Sequence, residues 1–334
     1  MTMANLYITE QNSILRKTGN RLILEKDDKI LLDVQCHKID AVLIFGNVQF
    51  TTQAVNELFD QGIEMSILSR NGRLKGQISS PFTKNIELRL MQFKQYWNDE
   101  FRLTISKIIL GGKIQNSLNF IRRFAYNHPG IGLNDEVSDI LKQQKNIADA
   151  TGLDQLFGIE GTAAKAHFKA LGKMVLKEFM FEHRSKRPPK DPVNALLSLT
   201  YTMIYNEIAS LLDGLGFDPY LGYYHHPDYG RASLASDLME EFRTPVGDGF
   251  TLTLINKGIL NSNDFYTDSS GGALLKRDAL KRYFAEYETF LNRDMEHPET
   301  KEKTSFRKAF RSQAENMAKA IQETRTYTPF IMEV

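Results

Sequence analysis

Two adjacent histidines, His225 and His226, lie in a Pro- and Gly-containing stretch, residues 222–230, just ahead of a segment with helical spacing. Over residues 233–242, Leu234, Leu238 and Met239, with Ala235 and Phe242, share the apolar side, while Ser233, Asp237, Glu240 and Glu241 share the other. Three carboxylates on one face repel each other unless solvent, cations or a metal separate or neutralise them. A loop histidine can fold back over such a face. Histidine plus carboxylates suits Mn²⁺ or Mg²⁺ with open water positions more than a closed zinc cage. A solvated acidic face with two surface histidines gives the same pattern. Glu160, in Gly158-Ile159-Glu160-Gly161, is a further candidate ligand. The small residues Ala163 and Ala164 nearby leave room for a bulky group to approach. A carboxylate complementing a helix dipole is the alternative there. His167 returns to nearly the same side of that helix, about 10 Å along the axis, and is an alternative ligand.

Several other chemistries are absent. The chain has no phosphate-binding P-loop, no H-E-x-x-H, no C-x-x-C and no G-x-S-x-G elbow. Its single cysteine, Cys36, excludes an internal disulfide and a cysteine zinc cage. The N-terminus lacks a basic region followed by an apolar run, and no apolar stretch approaches a membrane span. A cytoplasmic protein with no membrane contact is expected.

The elements that must position these residues change in texture near residue 83. Up to about residue 80, short apolar runs separated by turn signals read as strands, with one helix over residues 51–61. Asn71-Gly72 is a hairpin signal, and Ser79-Ser80-Pro81 marks a boundary. Beyond it, Ile86, Leu90, Phe93, Trp97 and Phe101 repeat at helical spacing. Residues 196–212 form a helix apolar on nearly all sides, ended by Gly214 and Gly216, and residues 280–291 and 306–321 form further helices. The expected architecture is α+β: a small N-terminal β domain, residues 1–83, followed by a larger all-α catalytic domain, residues 84–334.

Four passages resemble a known family, the CRISPR-associated integrase and endonuclease that captures new spacers. Gly158-Ile159-Glu160-Gly161 is similar to its first metal-ligand motif. Arg187-Pro188-Pro189-Lys190-Asp191-Pro192-Val193-Asn194-Ala195-Leu196-Leu197 is similar to its R-x-P-x-D-P-x-N-A-x-L helix start. The stretch from Gly216 to His225, followed by Tyr229 to Leu234, resembles its histidine loop. Residues 237–243 resemble its last acidic motif. The resemblance runs through the whole chain, with weaker echoes up to Phe330. Gly247-Asp248-Gly249 departs from the bulkier residues the family carries around that aspartate.

The resemblance implies the same β-then-α fold and a ligand set of Glu160, His225 and Glu240 holding Mg²⁺ or Mn²⁺, with Asp237 beside them. It implies that a 3′-hydroxyl of double-stranded spacer DNA attacks a phosphodiester at a repeat edge. It also implies a homodimer and a small CRISPR-associated partner subunit that bridges two dimers. Arg184, Lys186, Arg187, Arg231 and Arg243 are the candidate phosphate contacts. The row Lys165, Lys169, Lys173, Lys177 and the pair Arg122-Arg123 are weaker ones. A structure-specific nuclease acting on branched DNA, a non-catalytic DNA-binding scaffold and a hydrolase of small phosphates are the alternatives. Net charge first argues against a polyanion partner, because 42 basic residues face 41 acidic ones. Counted by segment, residues 84–123 carry +5, residues 160–191 carry +4, and residues 192–243 carry −5. An acidic site flanked by basic stretches repels phosphate until a cation fills it.

Overall fold

The computed structural model describes residues 4–70, 72, 74–78, 85–323 and 325–333. Asn71, the Ser79-Ser80-Pro81 signal and the expected domain boundary at 83/84 lie outside them. The architecture is α+β, with a strand-rich N-terminal region followed by a mostly helical one.

The chain divides into two compact units. The N-terminal unit holds two four-stranded sheets. In one, β1 (Ala4–Ile8), β5 (Ile39–Phe45) and β7 (Glu64–Leu68) run parallel, and β8 (Leu74–Ile78) is antiparallel to β7. In the other, β2 (Ser13–Thr18), β3 (Arg21–Lys26) and β4 (Lys29–Gln35) form an antiparallel meander, and β6 (Val48–Phe50) lies parallel to β2. Leu15, Leu22, Leu24, Val42, Ile44 and Met65 build its core with Ala54 and Leu58 of α1 (Thr52–Asp60), whose first turn is capped by Thr51. Residues 277–288 belong to this unit too, although the sequence reading placed them with the helices. Phe284 stacks on Tyr7 with centroids 4.5 Å apart, and the Tyr7 hydroxyl donates to Glu288 at 2.5 Å.

The second unit carries α2 (Ile86–Tyr96), α3 (Asp99–Asn127), α4 (Asn134–Asp149), α5 (Leu153–Met174), α6 (Pro192–Leu215), α7 (Ser233–Phe242) and α8 (Gly249–Asn256). It also includes the end of α9 (Arg277–Asn292) and all of α10 (Phe306–Ile321). It is not purely helical: β9 (Phe265–Thr267) pairs with β10 (Ala273–Leu275), and β11 (Met295–Glu296) with β12 (Lys303–Thr304). Among the described residues no helix is long and apolar enough to cross a membrane.

Two helices differ from the sequence reading in instructive ways. The repeat from Ile86 to Phe101 is broken, because Asn98 caps α3 by accepting from the Phe101 amide. The stripe Ile86, Leu90, Phe93 and Trp97 faces solvent, whereas Gln92 and Gln95 are buried. Gln92 is buried for a reason. Its amide donates to the Asp218 and Leu221 carbonyls at 2.8 and 2.9 Å and accepts from the Asp218 amide at 2.9 Å. It thereby fixes the turn that leads into the histidine loop.

Candidate active site

Asp191 starts α6 by accepting from the Asn194 amide at 2.8 Å, with Pro192 in the first helical turn. The Asn194 side chain then gathers the preceding loop: it accepts from the Ser185 amide and from Arg184 and donates to the His183 carbonyl. This explains the physical content of the motif around Arg187. α6 ends at Gly216, whose φ of 97° is the left-handed cap geometry glycine favours. The chain then turns into the histidine loop.

Asp237 of α7 organises that loop. Its Oδ2 accepts from the Tyr223 and Tyr224 amides at 2.7 and 3.0 Å, and its Oδ1 from the His225 amide and His225 Nδ1, both at 2.8 Å. Since Asp237 already takes three backbone donors, the fourth contact fixes the His225 proton on Nδ1 and leaves the Nε2 lone pair pointing away from Asp237. His225 Nε2 lies 3.7 Å from Glu240 Oε1. The loop comes this close because residue 222 is glycine. A Cβ there would sit 2.7 Å from the Ser233 backbone and 2.8 Å from Asp237 Oδ2.

α7 is not a solvated acidic face. Every one of its residues is buried, and each of its three carboxylates has its own partners. Asp237 holds the loop. Glu240 faces cations: Arg243 Nε is 2.8 Å from its Oε1 and Lys113 Nζ is 2.7 Å from its Oε2. Glu241, 100° further round the helix, accepts from Tyr327, from Gln313 at 2.8 Å and from the Phe330 amide at 2.8 Å. Burial pushes the Glu241 carboxyl up to about 7 despite these donors. Asn116 of α3 completes this clasp. It donates to the Glu241 and Phe330 carbonyls and accepts from the Met332 amide, each at 2.8 Å.

Glu160 lies beyond the first turn of α5, whose acidic residue is Asp154, so the helix dipole does not account for it. Its Oε1 accepts from Lys113 and its Oε2 from the Tyr224 hydroxyl at 2.8 Å. Tyr224 in turn stacks on Phe157 at 4.9 Å. Burial alone would raise the Glu160 and Glu240 pKa values. For Glu160 the Lys113 ammonium, and for Glu240 Arg243 and Lys113, outweigh burial and hold both carboxyls below their usual range. For Lys113, burial works against the charge, but Glu240 and Glu160 raise its pKa above the ordinary value.

His167 is not at this site. Its Nδ1 meets Ser117 Oγ at 2.6 Å and its Nε2 meets Asp248 Oδ2 at 2.8 Å, so both ring nitrogens are used. Asp248 also accepts from Tyr201, over whose ring Arg243 lies at 4.9 Å. Asp248 ends the π-helical turn Arg243–Asp248, where the sequence departs from the family pattern. Gly247 makes this packing possible, because a Cβ would lie 2.3 Å from the Tyr201 ring.

The candidate phosphate contacts differ in availability. Arg184 is partly buried and donates inward to Asn194 Oδ1 at 2.7 Å and Ser198 at 2.9 Å. Arg243 is held by Glu240, while Lys186, Arg187 and Arg231 are exposed. The surrounding protein, and after it Arg243 and Arg184, lower the Lys186 pKa. In the weaker row, Lys169 and Lys173 pair with the buried Glu136 at 2.9 and 2.7 Å.

The structure therefore brings Glu160, His225, Glu240 and Asp237 together from α5, the histidine loop and α7. The donor set of two carboxylates and an imidazole Nε2 suits a divalent ion. So does Glu240 Oε2, which is shielded from solvent and faces only the Lys113 ammonium among the described residues, at 2.7 Å. Among the described residues no three such side chains converge on one point, and Lys113 stands between the two carboxylates. Lys113, Tyr224, Tyr201 and Asp248 had no assigned role in the sequence reading.

The family model for CRISPR associated protein Cas1 matches residues 6–289. The chain belongs to the Cas1 family. It is 32% identical to the CRISPR-associated endonuclease Cas1 1 of Chlorobaculum tepidum over 334 residues, covering 98% of this chain and 97% of that protein. It is similar to a solved Cas1 protein from Thermotoga maritima, with a TM-score of 0.82 and 24% identity over 99% of this chain and 100% of that one. It is also similar to a chain of a Cas6-RT-Cas1–Cas2 complex, with a TM-score of 0.83 and 25% identity over 100% of this chain and 36% of that one.

Proposed function

We propose that this chain is a metal-dependent DNA integrase and endonuclease. In this reading it inserts spacer DNA into a CRISPR array by attack of a DNA 3′-hydroxyl on a repeat-edge phosphodiester. The observation that carries the proposal is that, in a Cas1-family chain, Glu160 and Glu240 share the Lys113 ammonium and an Asp237-oriented His225 lies 3.7 Å from Glu240. These residues would hold Mg²⁺ or Mn²⁺. The bound ion would polarise the phosphoryl oxygen and offset charge in the transition state.

The protein's own groups do the rest. Asp237 keeps the His225 Nε2 lone pair available, and Tyr224 fixes one Glu160 oxygen. Lys186, Arg187 and Arg231 are exposed cations suited to DNA phosphates. No side-chain nucleophile is needed, because the DNA hydroxyl is the attacking group. The relative from Chlorobaculum tepidum is named an endonuclease, which supports a nuclease or integrase activity. A neighbour solved as part of a Cas1–Cas2 complex supports a partner subunit, and the working form is a homodimer in this reading.

The test is a strand-transfer assay with a short duplex and a repeat-containing target, with and without Mn²⁺. Glu160→Ala, His225→Ala and Glu240→Ala should each abolish joined product. Near-normal joining by any one of them removes that residue from the site. Products consisting only of cleaved ends would show hydrolysis in place of integration. Gel filtration tests the dimer, and a monomer at micromolar concentration would refute it.

A further inference from the structure

We infer that Lys113 is a built-in stand-in for the divalent cation. Without the ion, its ammonium neutralises Glu160 and Glu240, and the ion binds by displacing it. This inference rests on the metal-site reading above.

Lys113 projects from α3 and reaches Glu160 of α5 and Glu240 of α7 with the same Nζ atom. The Glu240 side chain is only 1% exposed, and Lys113 is 17% exposed. Glu160 is 22% exposed, and the one ammonium between the two carboxylates offsets the charge of both. Arg243, a second cation at the site, takes the other Glu240 oxygen, Oε1, and packs over Tyr201. Glu160 Oε1 and Glu240 Oε2 are left to Lys113. The second of these oxygens lies 2.7 Å from the Lys113 ammonium, which is the cation that faces it.

A dication satisfies that pair of oxygens better than an ammonium, and the two cannot occupy the same space. A lysine suits this role physically. Its single charge rides on a flexible four-carbon stem, so it can leave without unpacking the helices, whereas a guanidinium stacked on a ring cannot. Lys113 therefore keeps the metal-free site assembled and at the same time sets a threshold that metal must overcome.

The first measurement is Mn²⁺ binding to the full chain by calorimetry, comparing wild type, Lys113→Met and Glu240→Gln. Lys113→Met should bind Mn²⁺ about tenfold more tightly, within the usual range of site-to-site coupling. In EDTA it should melt at a lower temperature than wild type, and Mn²⁺ should raise its melting temperature by more. The second measurement needs no variant. Acetylation of Lys113 in the wild type, read by mass spectrometry, should accelerate several-fold on adding Mg²⁺, because the amine leaves its two carboxylates. The inference is overturned if Lys113→Met binds Mn²⁺ no more tightly than wild type, or if Mg²⁺ leaves Lys113 labelling unchanged or slows it. Loss of Mn²⁺ binding in Glu240→Gln together with either of those results sinks the stand-in role alone. Equal Mn²⁺ binding by wild type and Glu240→Gln sinks the metal-site reading and this inference with it.

Discussion

Replacing Asp237 by asparagine changes one atom and disables the hub of the site. Its two oxygens accept four N–H groups at 2.7 to 3.0 Å, three of them from the backbone of residues 223–225. Asparagine keeps one acceptor oxygen. Its amide nitrogen would face two N–H donors, whichever way it turns. Two charge-assisted hydrogen bonds are lost, worth about 1.5–3 kcal/mol each, and the two that remain weaken. The site is fully buried, so water cannot take over. The expected cost is about 4 kcal/mol, or about 8–16 °C in melting temperature for a unit of this size. The His225 ring loses the partner that fixes its proton, so metal affinity and strand transfer should fall about 10–100-fold. Thermal unfolding followed by circular dichroism, with nitrogen NMR of the His225 ring, reads both effects. A melting temperature within 2 °C of wild type, or an unchanged ring spectrum, would refute the assignment of Asp237 as the group that orients the loop and its histidine.

Gly247→Ala should destabilise by about 1–3 kcal/mol, because its Cβ would lie 2.3 Å from the Tyr201 ring; an unchanged unfolding midpoint would contradict that packing. In a double-mutant cycle, Glu241→Gln and Tyr327→Phe should couple by about 1–2 kcal/mol, and simple additivity would show that the hydroxyl–carboxylate contact contributes nothing. Hydrogen bonds from Lys26 and Arg277 hold the Glu10 carboxyl down to about 2, so its ionised form favours the folded state. That contribution is fully present above pH 4.5 and is lost as pH falls towards 2. It is about 1 kcal/mol once the exposure of Arg277 is allowed for. Wild type should therefore lose more stability than Glu10→Gln between pH 5 and 2, and parallel curves would remove Glu10 from the account.

The order of strands and helices was legible because periodicity is local. The helix over residues 306–321 and the glycine stop at Gly216 follow from neighbours in sequence alone. The α2 stripe misleads for the same reason. Spacing reveals which residues share a side, but it was Gln92, satisfying the turn at Asp218–Leu221, that decided which side faces inward. At the site, the residues Glu160, His225 and Glu240 were named through motifs, whereas Lys113 carried no local mark beyond its place in a basic segment. Nothing near Ser117, His167, Tyr201 or Asp248 in sequence shows that they share one buried network. The three acids of α7 looked like one repelling face, but a hundred degrees of rotation and full burial give each its own partners.

The clasp on Glu241 also has a consequence in time. Phe330 follows Glu241 by 89 residues. Ribosomes add about 5–20 residues per second, so Ser233–Phe242 exists for roughly 4–18 seconds before the segment that closes over it has been made. Until then the acid beside Glu240 lacks the Tyr327, Gln313 and Phe330 donors it has when folded. A chain grown past residue 242 but not yet to residue 330 therefore carries the candidate ligand residues without the donors that clasp Glu241.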